Sequence, residues 1–131
     1  MTRRTAVQLR AIRIRRAYDE PGADDGYRVL VDRYWPRGRR RESLKLDEWA
    51  RELAPEPDLI KWFGHMPERW DEFRQRYLLW LDAPGQMKRM SELLESAGDK
   101  AITLVYGARD ETQNQAVIFR DALQALQRAI E

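Results

Sequence analysis

The 131-residue sequence predicts an α/β protein: a three-layer sandwich with a small, mostly parallel central sheet flanked by helices. Two short apolar runs, in RVLVDRYWPRG (Arg28–Gly38) and TLVYGARDE (Thr103–Glu111), lie far apart in the chain, and each ends abruptly in polar residues. Neither run alternates, which is the pattern of strands covered on both faces of a parallel sheet. Between them apolar residues recur at helical spacing, so strands and helices follow one another as an α/β architecture requires.

Taken in order, residues 1–10 read as an arm or extra leading strand, with Val7 and Leu9 set against polar neighbours. Ile12–Ala17 alternates apolar residues with arginine, which suits an edge strand or one with a wet face. Tyr18–Gly26 is dense in turn formers and reads as a loop. Tyr27–Arg33 is the first buried strand, and Arg39–Glu42 beyond it a solvated run. Leu46, Trp49, Ala50 and Leu53 have helical spacing, with Asp47 near the start and Pro55 as the stop. Pro57–Phe63 makes a short helix closed by Gly64. Pro67 suits the first position of a longer helix with a stripe of Trp70, Phe73, Tyr77, Trp80 and Leu81, broken by Pro84-Gly85. Met87, Met90, Leu94 and Ala97 form another stripe, ending at Gly98. Ala101–Tyr106 is the second buried strand. In the last helix Asp110 reads as N-cap with Gln113 completing a capping box, and Ala116, Phe119, Leu123, Leu126 and Ile130 share one face.

The length fits one domain able to bury a core, and 43% hydrophobic residues with five tryptophans argue for packing rather than disorder. No apolar run reaches membrane-spanning length, and the basic start lacks the apolar segment of a secretory signal, so a cytoplasmic location is expected. With no cysteine and one histidine, disulfides, thiolate nucleophiles and Cys- or His-rich metal sites are excluded. No phosphate loop, dinucleotide fingerprint or serine elbow occurs, and nothing calls for a cofactor or metal. The small strand count leaves the sheet open to extension by residues 5–10 or by a second chain; monomer and homodimer both fit.

The net charge of +2 hides an asymmetry. Residues 1–41 carry twelve arginines against five acids, whereas the remainder carries twelve basic residues against seventeen acids. Arginine suits bidentate contact with phosphate or carboxylate. In open α/β sheets ligands bind beyond the carboxyl ends of strands, so Asp32, Arg33, Arg37 and Gly38 are expected to meet Tyr106, Gly107, Arg109 and Asn114 in one anion-binding pocket. Arg33, Arg37, Gly38, Arg109 and Asn114 are the expected anion ligands; Trp35, Tyr106 and Gly107 are expected to line the pocket. His65, the sole imidazole, is the natural proton-transfer group, and Asp32 is cast as orienting a clamp arginine. The same residues also suit structural roles: Asp32 and Arg33 as a pairing network, Asp110 and Gln113 as caps. The run Arg39–Arg41 offers a different reading, a nucleic-acid or protein interaction module, less well supported than a small anionic ligand.

Asp25–Gly38 (DGYRVLVDRYWPRG), Leu46–His65 (LDEWARELAPEPDLIKWFGH) and Thr103–Val117 (TLVYGARDETQNQAV) closely resemble the YeaO-like branch of the family labelled domain of unknown function 488. The likeness covers about residues 12–126. It implies a small bacterial cytosolic α/β domain, with Asp32, Arg33, Trp35, Pro36, Arg37, Gly38, Trp62–His65, Asp110, Glu111 and Asn114 on the family's pattern. This chain has Gln113-Asn114 where similar sequences commonly read His-Asn. It also has Tyr106-Gly107 where more distant ones carry a cysteine.

Overall fold

The computed structural model describes residues 9–130; the expected arm over residues 1–10 falls almost wholly outside them. Four strands form one sheet in the order β1-β4-β2-β3, every neighbouring pair parallel. They are β1 (Ile12–Arg16), β2 (Tyr27–Leu30), β3 (Glu48–Trp49) and β4 (Ile102–Tyr106). The two apolar runs are adjacent, with Leu30 opposite Val105, and the arginine-alternating strand is an edge strand beside β4. Among the described residues no helix is long and apolar enough to cross a membrane.

Helices α2 (Pro57–Phe63), α3 (Trp70–Leu81), α4 (Pro84–Ala97) and α5 (Gln115–Ala129) all pack on one face. That face presents Ile12, Val29, Val31, Ile102, Leu104 and Tyr106 to Phe73, Tyr77, Leu93, Phe119 and Leu123 in one continuous core. Gly64 closes α2 in the left-handed conformation, at φ 53°. A 3₁₀ turn, Pro67–Arg69, leads into α3.

The opposite face is covered thinly, by loops and one short helix, α1 (Arg41–Leu44). There Ala17, Leu30, Leu44 and Val105 form a small second core, with Trp35 and Leu46 against it. The solvated run Arg39–Glu42 leads into α1, whose Leu44, just past the run, is fully buried. This thin layer also holds a buried ion pair. Arg28 Nη1 lies 2.5 Å from Asp25 Oδ2, its Nε donates to Leu44 O at 2.9 Å, and Arg15 Nε lies 3.2 Å from Asp25 Oδ1. The Gly22 N–H donates to Asp25, and the Thr103 hydroxyl donates to its carbonyl, so the Tyr18–Gly26 loop is tied to β2 and β4. Such a buried charge is tolerable only because it is paired and hydrogen-bonded.

Two expectations are corrected. Leu46–Leu53 is not one helix. The Asp47 N–H donates to Arg28 O, the Ala50 N–H to Leu30 O, and Asp47 Oδ2 accepts from the Arg28 N–H, so this backbone pairs with β2 before a 3₁₀ turn at Arg51–Leu53. The open edge of β2 outcompetes a weak local helical preference. The last helix is not capped by Asp110, whose Oδ1 accepts from the Thr112 and Gln113 N–H groups, both at 2.9 Å, in a turn before the helix. Asn114 is the cap, its Oδ1 accepting from the Val117 N–H at 3.2 Å.

Candidate functional site

Because β2 and β4 are parallel neighbours, the segments leaving their carboxyl ends emerge side by side. Asp32 and Gly107, two residues beyond the last β2–β4 register pair, meet there. The Gly107 N–H donates to Asp32 Oδ2 at 2.9 Å, and the Gln115 side-chain amide, from the first position of α5, donates to Oδ1. A Cβ at position 107 would stand 2.8 Å from Asp32 Oδ2, so only glycine lets the carboxyl lie flat on this backbone. Burial pushes the Asp32 carboxyl up to about 7, while the hydrogen bonds from Gly107 and Gln115 hold it back.

Asp32 borders a cleft of about 300 Å³. Its apolar wall is Ile60 and Phe63 of α2 with Phe73 of α3; Trp35, Pro36 and Pro55 close other sides. Trp35 is held by its Nε1–H donating to Arg39 O at 2.7 Å and by an edge-on contact with Trp49, ring centres 5.5 Å apart. The Trp49 Nε1–H donates in turn to Asp32 O at 2.7 Å, fixing the backbone beneath the carboxyl.

Of the residues expected at the site, Asp32, Arg33, Trp35, Arg37, His65, Gly107 and Asn114 border this cleft. Gly38, Tyr106 and Arg109 do not. Gly38 is an exposed turn residue at φ 79°, with nothing near the place of a Cβ; Tyr106 is core, 2% exposed; Arg109 is exposed beyond the rim. Asp32 and Arg33 make no ion pair with each other. Arg33 instead donates through Nη2 to Ala54 O at 2.8 Å and through Nε to Pro55 O at 3.2 Å, tying this segment to the turn before α2. Arg37 has no ion pair among the described residues and is exposed at the rim. His65 is exposed too, at φ 57°, with its ring 5.8 Å from Phe63. It stands near enough to Asp110 to help hold that carboxyl below its usual range, after the larger effects of the Gln113 and Thr112 N–H bonds. Asn114, 2% exposed, has its side chain committed to capping α5 and to donating to Asp110 O at 2.8 Å.

Sequence reasoning missed Gln115 and Tyr18. The expected cap at Asp110 put Gln115 inside the helix rather than at its first position, which hid its reach back to the strand ends. Tyr18 borders the cleft, donates its hydroxyl to Arg37 O at 2.9 Å and lies under the Arg16 guanidinium, 5.2 Å from the ring centre. Arg16 in turn donates to Ala108 O at 2.9 Å, linking β1 to the same rim. Of the run Arg39–Arg41, Arg40 and Arg41 are exposed and Arg39 is half-buried. Among the described residues no three His, Cys, Asp or Glu side chains are grouped to hold a metal ion.

Comparison with known proteins adds the family. Residues 11–130 match a family model described as the inactive DUF488-N3 subclade. The chain is 40% identical over 116 residues to the uncharacterized protein YeaO of Escherichia coli, covering 88% of this chain and 98% of that one. It is 35% identical over 117 residues to the uncharacterized protein Rv3073c of Mycobacterium tuberculosis, covering 89% and 97%, with the same figures for Mb3100c of Mycobacterium bovis. No solved structure gives a significant match. The chain belongs to the DUF488 family, in its YeaO-like branch.

Proposed function

We propose that this protein binds a small anion, a phosphate or carboxylate on a metabolite or nucleotide, in the cleft beyond the ends of β2 and β4. The observation that carries the reading is Arg37: a guanidinium without an ion pair among the described residues, on the rim of a cleft whose inner wall is apolar. Free arginine forks match carboxylate and phosphate oxygens. His65 at the same rim adds a second donor, and Arg33 a fixed positive charge. The family description as an inactive subclade favours holding a ligand over turning it over.

General acid–base catalysis is a second reading, favoured by one feature. Asp32, with its carboxyl pushed up to about 7, holds and releases a proton near neutrality, which the cap residue Asn114 cannot do. On this reading Asp32, rather than His65, is the proton carrier.

A thermal-shift screen against phosphate, sulfate, simple carboxylates, nucleotides and sugar phosphates at fixed ionic strength tests the binding reading. A ligand at about one hundred times its dissociation constant adds about 2.7 kcal/mol, several degrees at the midpoint. Arg37→Ala, which loses no ion pair among the described residues, is expected to abolish the shift while leaving the ligand-free midpoint in place. Shifts that persist in Arg37→Ala contradict the proposal.

A further inference from the structure

Building on the anion-binding reading, we infer that the ligand also carries a hydrogen-bond donor, an O–H or N–H on an apolar or aromatic body, and that Asp32, aimed by Gly107 and Gln115, selects it. Three features support this. First, the cleft is polar in an ordered way: the exposed Arg37 and His65 side chains lie at the rim, the carboxyl of Asp32 is withdrawn, and Phe63 and Phe73 line the wall. A ligand anionic throughout would set like charge against Asp32, whereas one with a donor at its inner end would not. Second, a carboxylate offers about four acceptor sites. Gly107 and Gln115 fill one on each oxygen, leaving each oxygen one more. Third, Ile60, Phe63 and Phe73 have no polar side-chain group to offer the carboxyl, so a donor from the ligand has no competitor on that wall.

Gln115 is therefore a positioning residue. Its amide fixes the rotation of the carboxyl, and Gly107 admits the carboxyl to the position where the amide reaches it. The charged and titratable groups around Asp32 are Arg33, Tyr34 and Arg37 on its own segment, Tyr77 of α3 behind it, His65 after α2, and Tyr18 after β1. Above about pH 7 Asp32 is ionised, and its two oxygens then each offer a charged acceptor to a donor-bearing ligand.

The test compares benzoate with 3- and 4-hydroxybenzoate by calorimetric titration at about pH 8. A hydrogen bond to a charged group is worth about 1.5–3 kcal/mol, so at least one hydroxylated probe is expected to bind about tenfold or more tightly than benzoate. That preference is expected to shrink severalfold in Asp32→Asn and in Gln115→Leu while benzoate affinity holds. It is also expected to fade in the wild type as pH drops below about 7, where Asp32 takes up its proton. Thermal midpoints of both variants report that they fold. Equal binding of all three probes, still lost in Arg37→Ala, overturns the donor inference and leaves the anion site standing. Binding of no probe, with no shift from any anion in the screen above, overturns both.

Discussion

Asp32→Asn separates the titration of one carboxyl from everything else that happens to this protein with pH. The Asp32 carboxyl is raised from 3.8 to about 7, chiefly by burial. Between those values the folded state holds a proton that the unfolded chain has released. The stability contributed by the neutral carboxyl is therefore fully present below about pH 4 and is lost as pH rises toward 7. Each unit is worth about 1.4 kcal/mol, so three units amount to about 4 kcal/mol, and partial contact with solvent lowers this toward about 2 kcal/mol. Asparagine keeps an acceptor for the Gly107 N–H and does not titrate. Urea unfolding of both chains from about pH 4.5 to about pH 8.5 gives the difference directly. The wild type is expected to lose stability relative to Asp32→Asn across that window, by on the order of 2–4 kcal/mol, and the difference to level off above about pH 7. Parallel stability curves would mean that the carboxyl titrates as it does in water, and the burial argument would fail.

Three further outcomes follow from the geometry. Gly107→Ala puts a Cβ 2.8 Å from Asp32 Oδ2, so the carboxyl must move off Gln115; a loss of about 1–2 kcal/mol is expected in urea unfolding, with the wild-type pH dependence blunted. Asn114→Ala removes the cap of α5 and is expected to cost about 1 kcal/mol, whereas Asp110→Ala, outside the helix, is expected to cost less by the same assay. Asp25→Ala leaves Arg28, 4% exposed, without its charge partner; a loss of about 3–5 kcal/mol, or failure to fold, is expected on thermal unfolding.

How much was legible before the structure depended on how local the cause was. The two apolar runs were readable as parallel-sheet strands because a strand covered on both faces has no reason to alternate, and β2 and β4 do lie together at the centre. The stripe Phe73, Tyr77 and Leu81 was readable for the same reason: one helical face meets one core. The stretch Leu46–Leu53 was misread because its helical spacing is a local signal, and the free edge of β2 that captures its backbone is not. At the site, the meeting of Asp32 with Gly107 followed from strand direction. The actual partners did not: Arg33 reaches carbonyls of a turn some twenty residues on, and Gln115 reaches Asp32 from the first position of α5. Tyr106 was placed at the site because it ends a strand, but its side chain falls on the helical face and is core.

The most direct test of the central claim is a titration of the isotope-labelled protein with 4-hydroxybenzoate, followed by backbone amide chemical shifts. A ligand in the cleft is expected to move the amides of Asp32–Trp35, Arg37, Gly64–His65 and Gly107–Gln115, in a saturable way that Arg37→Ala removes. Saturable shifts confined to the arginine run Arg39–Arg41 and its surroundings, with the Gly107 and Gln115 amides unmoved, would contradict the claim and assign binding to the other face of the sheet.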